Sequence, residues 1–142
     1  MSFIKQDKDY NCAAYAIHML LKLNGIDSNV KQIEHELGCD VETGTSHHQI
    51  VSWFDNAKIT RISYGYLDSI YSKRLITPYI VNYQYCDENG CDGHYGVVIT
   101  HLLNELLIYN PATGGVDIFN KEAFDDIWYS ERYGNRFYFR IH

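Results

Sequence analysis

The sequence predicts an α+β chain in which N-terminal helices pack on a C-terminal antiparallel sheet. Two observations carry that expectation. Apolar residues recur with a helical period up to Ala57, and beyond it the pattern turns into short β-branched and aromatic runs divided by turn residues. Helices first and strands after are the segregated arrangement, in which a sheet lays one face against a helical layer.

The elements follow in order. From Ala13 to Leu23, Ala16, Leu20 and Leu23 fall on one face, and Asn24-Gly25 stops the helix, so a first helix starts at or just after Cys12. Ser28 or Asn29 caps a second helix that places Val30, Ile33 and Leu37 together and ends at Gly38. Ser46 with Gln49 has capping-box spacing, which opens a third helix through Ile50, Trp53 and Phe54. Strands are expected over 59–66, 79–85, 94–101, 105–109, 115–119 and 136–141, with a short amphipathic helix over 121–129 before the last. Glu88-Asn89-Gly90, Leu103-Asn104 and Asn110-Pro111-Ala112-Thr113-Gly114-Gly115 are the turns between them. The change of pattern near Ala57 is a change of layer, because neither half alone buries its apolar face, and residues 1–142 are expected to form one domain.

A net charge of −6 with no Lys/Arg cluster excludes a phosphate-binding surface, so nucleic acid is not an expected partner. No run approaches the roughly 20 apolar residues of a membrane span. Met1 to Asp9 is charged and lacks the apolar core of an export signal, which predicts a soluble protein of the reducing cytosol. In that compartment the four cysteines are expected as free thiols. Thirteen Tyr and two Trp suit either a sheet face or a groove gripping an extended peptide.

Cys12 stands where a charged loop enters the first helix. The unpaired N–H groups there lower a thiol's pKa and favour the nucleophilic thiolate, while the bland reading is a buried structural cysteine. Acyl transfer by a thiolate needs a base, a group that holds the imidazole in one tautomer, and donors for the oxyanion. His94 opens a buried-strand run beside a Gly-rich turn and is the candidate base. The other histidines, His18, His35, His47, His48, His101 and His142, read as solvated or locally hydrogen bonded. Asn110 ends the next strand, which a hairpin returns to the neighbourhood of His94, and its amide oxygen suits an orienter, though Asn-Pro also favours a plain turn. Gln6 offers a side-chain N–H₂ beside the Cys12 backbone N–H.

The ordered set Gln6-x5-Cys12-Ala13-x-Tyr15-Ala16, Asn24-Gly25, Gly44-Thr45-Ser46, His94-Tyr95-x-Val97-Val98-Ile99 and Asn110-Pro111-x2-Gly114 resembles the bacteriocin-processing, double-glycine leader peptidases of the papain-like superfamily. The likeness runs from about residue 6 to about residue 128. It implies a papain-like fold, a Cys12-His94-Asn110 triad with Gln6 completing the oxyanion hole, a peptide or protein substrate cut after Gly-Gly, and no cofactor. Two positions depart from the family's usual pattern: Ala13 stands where Gly is common after the nucleophile, and Asn110 where Asp is common as orienter.

Three competitors accompany this reading. The same acyl-thioester chemistry on a protein Gln gives deamidation or transglutamination. A relative without chemistry would be a peptide-binding module. Cys86-x4-Cys91-x2-His94 could hold part of a zinc site with Cys39 or Asp92 as a fourth ligand, in which case His94 is a ligand and not a base.

Overall fold

The computed structural model describes residues 3–40, 44–88, 90–130 and 134–142. Helices α1 (Cys12–Leu23), α2 (Val30–Leu37) and α3 (His47–Asn56) come first. Then follow β1 (Ile62–Tyr66), β2 (Tyr79–Asp87), β3 (Gly90–His101), β4 (Glu105–Asn110), β5 (Gly115–Asn120), α4 (Lys121–Ile127), β6 (Tyr129–Ser130), β7 (Gly134–Asn135) and β8 (Phe137–Ile141). The capping chemistry is realised locally: the Asn29 side chain accepts from the Gln32 N–H, and Ser46 and Gln49 form a reciprocal capping box. Gly38 closes α2 in the left-handed region at φ 76°, where a side chain would strain the backbone. The α+β expectation holds, with the ends of the six expected strands within four residues of the expected ones, and β6 and β7 are additions to it.

The main sheet has the order β1-β8-β2-β3-β4-β5, and every pair in it is antiparallel. β6 and β7 make a separate two-stranded ribbon. α1 lies against both α2 and β3, and Ala13, Ala14, Ala16 and Ile17 are wholly buried there. Small alanines let the helix axis approach the sheet closely, and Tyr95 and Val97 of β3 face it within the same apolar cluster.

The sequence reading expected one buried sheet face, but a second cluster covers the other. Tyr79, Val81 and Tyr83 of β2, Val98 of β3 and Ile108 of β4 pack there under Phe124 of α4 and Trp128. Ile70 and Leu75, from the segment between β1 and β2, complete this cluster. Part of the Tyr excess is therefore sheet core: Tyr79, Tyr83, Tyr95, Tyr109 and Tyr138 are buried, while Tyr64, Tyr66 and Tyr71 are exposed.

Gly96 lies in the centre of this double layer. A Cβ there would stand 2.8 Å from the Tyr109 carbonyl oxygen and 3.1 Å from Ile108 Cγ2 and Tyr83 Cε1. Backbone on one side cannot yield as a flexible side chain does. Gly96→Ala is therefore expected to lower unfolding free energy by about 2 kcal/mol, the cost of forcing a methyl into a filled interior, as read from the midpoint of urea denaturation. An unchanged midpoint would show that β3 and β4 separate freely at this point.

Candidate active site

Cys12 is the first residue of α1, and the preceding Asn11 does not cap the helix with its side chain. That amide is engaged elsewhere, donating to Asp7 Oδ1 at 2.7 Å and Glu34 Oε1 at 3.0 Å. The loop before α1 is tied to α2 by ion pairs of Lys31 with Asp7 and of Lys8 with Glu34. Lys31 and Asn11 together hold the Asp7 carboxyl down at about 2. So the uncapped start of α1 faces a loop whose charges are mostly satisfied by α2.

The N-terminal segment is strapped onto the turn after β4. The Gln6 N–H donates to the Pro111 carbonyl at 2.8 Å, and the Tyr109 hydroxyl donates to the Ile4 carbonyl. Gly114, at φ 72°, comes so close to Lys5 that a Cβ would stand 3.0 Å from its backbone nitrogen. This strap carries Gln6 to the wall of a cleft of about 360 Å³ that His94 also lines. One hydrogen of its side-chain N–H₂ goes to the Lys8 carbonyl at 2.6 Å, leaving the other available.

His94 and Cys12 line a second, adjoining cleft of about 270 Å³. Asp9, Tyr85, Asp87 and His94 are common to both clefts, so the two compartments meet at the imidazole. The thiol lies near the backbone N–H of Tyr95, the residue that follows His94 in β3, which favours its ionised form. Asn110, 1% exposed at the end of β4, brings Oδ1 to 2.8 Å from His94 Nε2. Two tyrosines of β2 set the ring plane. Tyr85 stacks on the imidazole with centroids 4.6 Å apart, and Tyr83, its cross-strand partner, meets it edge-on at 5.6 Å. All four residues expected at the site thus lie on its walls or bond to a residue that does.

Electrostatically the site departs from expectation. A helix N-terminus was expected to favour the thiolate, yet burial pushes the Cys12 thiol up to about 11, against the pull of the Tyr95, Ala13 and Cys12 N–H groups. Burial likewise holds His94 down at about 4, against the bond to Asn110 and the charges of Asp117 and Asp87. Removing both groups from water disfavours both charged forms, so at neutral pH the pair is thiol and imidazole, not thiolate and imidazolium.

The free-thiol expectation is corrected for two of the four cysteines. Cys86 and Cys91 face each other across β2 and β3 and are joined by a disulfide, while Cys12 and Cys39 are free. Their spacing was visible in the sequence, but only the register places them opposite one another. The bond also consumes the Cys86 and Cys91 sulfurs of the zinc alternative, and no group of three metal-ligating side chains occurs among the described residues. Of the remaining histidines, expected to be solvated or locally hydrogen bonded, His47 is buried, stacks on Phe137 at 3.8 Å and bonds Tyr66 through Nδ1. His18 bonds Ser28 and His101 bonds Tyr79, as local partners. A larger cavity of about 730 Å³ at the far ends of β2 and β3 is lined by Lys73, Arg74, His101 and Lys121 and brings no cysteine to an imidazole.

The family model described as Peptidase C39 family matches residues 1–131. The chain belongs to the peptidase C39 family. It is accordingly a cysteine peptidase, a hydrolase. Solved structures of C39 peptidases and related transporter proteases share its fold. The peptidase domain of Streptococcus ComA, a bifunctional ABC transporter involved in quorum sensing, superposes with TM-score 0.72 at 17% identity over 97% of this chain and 95% of its own. A double-glycine motif protease from an AMS/PCAT transporter, solved in complex with the leader peptide, gives 0.74 at 16% identity over 97% and 88%. A C39-like peptidase from Bacillus anthracis gives 0.71 at 14% identity over 99% and 94%. No curated protein matches the sequence. Among the described residues of this C39 chain, no helix is long and apolar enough to cross a membrane.

The lowered His94 titration has a consequence for stability. Its folded value lies below its ordinary value near 6.5, so the folded state binds fewer protons than the unfolded chain between about pH 4 and 6.5. The stabilisation is complete above that window and is lost as pH falls through it. His94 alone is expected to remove about 2 kcal/mol at pH 5 relative to pH 8, and His47, also held down at about 4 by burial, acts in the same direction. Urea denaturation at the two pH values checks this: the difference should shrink in His94→Gln and shrink further when His47→Phe is added.

Proposed function

We propose that this chain, acting as one peptidase domain, cleaves peptide bonds with Cys12 as nucleophile, His94 as base, Asn110 as orienter and Gln6 as oxyanion donor. The observation that carries the reading is the His94 Nε2 to Asn110 Oδ1 bond in a ring that shares a cleft with the Cys12 thiol. An imidazole so held has one nitrogen engaged and the other left for a proton of the nucleophile.

Because the pair is neutral at rest, the thiol proton moves to His94 as sulfur attacks the carbonyl carbon. The oxyanion is received by the Cys12 backbone N–H at the uncapped helix start and by the second hydrogen of the Gln6 amide. The imidazolium then protonates the leaving amine, the C–N bond breaks, and a thioester remains. Water, giving up a proton to His94, attacks that thioester, and the acid product leaves as the thiol is restored.

The substrate we propose is a leader peptide cut after Gly-Gly. The AMS/PCAT relative bound to a leader peptide supports it.

Cys12→Ala should abolish cleavage of a Gly-Gly leader peptide in a mass-spectrometric assay and leave thermal unfolding unchanged; residual cutting would remove Cys12 from the mechanism. An intact peptide carrying a converted Gln would instead show deamidation. Acidity supplies a further test. With His94 held at about 4 and Cys12 at about 11, kcat/KM should stay flat from about pH 5 to about pH 10. A pre-formed ion pair would lose activity at its alkaline limb as the imidazolium deprotonates, well before pH 10.

A further inference from the structure

Asn110 is a neutral amide at a position where its two ends are chemically opposite. Only the oxygen can accept from an imidazole N–H, and a turn of the amide by 180° would present N–H₂ to the ring. Two neighbours decide which way it faces. The Ala112 N–H donates to Asn110 Oδ1 at 2.9 Å, and Asn110 Nδ2 donates to Asp117 Oδ2 at 2.9 Å. A backbone N–H only donates and an ionised carboxylate only accepts, so both contacts demand the same orientation.

The proton inventory then runs to the imidazole. Oδ1 carries no hydrogen, so His94 Nε2, 2.8 Å away, must be the N–H, and Nδ1 is left with the lone pair. That is the one nitrogen able to take the thiol proton. Asp117 stands on β5 opposite Ile108 of β4, half-buried, and no Lys or Arg pairs with it among the described residues. Its charge therefore faces inward along the chain of bonds instead of being quenched at the surface, and it favours the imidazolium that forms during attack.

We propose that Asp117 is a positioning residue: it sets the amide of Asn110 and, through it, the tautomer of His94, so that the site is a four-membered relay Cys12-His94-Asn110-Asp117. The effect on turnover rests on the peptidase reading above; the effect on the tautomer does not. The relay also accounts for an Asn in the orienter's place, since a carboxylate at residue 110 would lie beside that of Asp117 and repel it.

The test is a set of variants read by kcat and KM on a Gly-Gly leader peptide and by ¹⁵N NMR of the imidazole at neutral pH. Asp117→Leu keeps the branched outline of the side chain and removes the acceptor. It should lower kcat about tenfold with KM little changed, the loss of one charge-assisted bond, and His94 should pass from the Nε2–H form to a mixture of tautomers. Asp117→Asn, whose own oxygen can still accept, should lose less and serves if the leucine variant fails to fold. Asn110→Asp alone should lose activity through the paired carboxylates, and Asn110→Asp with Asp117→Asn should regain it, because the exchanged pair again offers an acceptor to His94 and a donor between the two residues.

Unchanged kcat and a single Nε2–H tautomer in both Asp117 variants would overturn the proposal, as would a double variant no more active than Asn110→Asp. If Cys12→Ala still cut peptide, the nucleophile assignment would fall, and the NMR result would still decide the role of Asp117.

Discussion

The contact on which the site depends is the burial of α1 against β3. Four residues at the start of that helix, Ala13, Ala14, Ala16 and Ile17, are removed from water completely, and three of them are alanines. Their small volume sets how closely the helix approaches the sheet. A larger side chain there would lift the first turn and with it the Cys12 sulfur, which sits against the Tyr95 N–H. The same packing explains why the thiol is reluctant to ionise: the interface that positions it also excludes the water that would solvate a thiolate.

That exclusion shapes the electrostatics of the whole site. Cys12 and His94 each lose their preferred solvent, and both are driven to the uncharged form. The protein answers with fixed dipoles and a distant charge rather than a contact ion pair. Backbone N–H groups point at the sulfur, the Asn110 amide points at the ring, and Asp117 lies one bond further out. In the mechanism we propose, the pair gains its charge separation only as a bond forms, when the surrounding dipoles are already aligned.

Much of this was legible in the residues. Ser46 and Gln49, Asn29 and Gly38 gave local signals for α2 and α3, and the structure realises each of them, because a cap or a left-handed terminator is a matter of a few neighbouring residues. Cys12, His94, Asn110 and Gln6 stood out by their order along the chain. The second apolar layer escaped notice, because Ile70, Leu75 and Trp128 carry no periodic signal and are buried by segments that run over the sheet. The disulfide was missed for a different reason. The expectation of a reducing compartment argued for free thiols, whereas the register of β2 on β3 places Cys86 opposite Cys91.

The sequence by itself determined the order of helices and strands, their caps and turns, and the residue types able to perform acyl transfer, because these follow from periodicity and side-chain chemistry within short windows. Only the tertiary structure decided which way the acid–base balance falls and what stands behind Asn110. Burial is a property of every element packed around a group at once. Asp117 meets Asn110 across β4 and β5, a contact between two residues seven apart whose meaning appears only when the amide is seen with the imidazole on its other side.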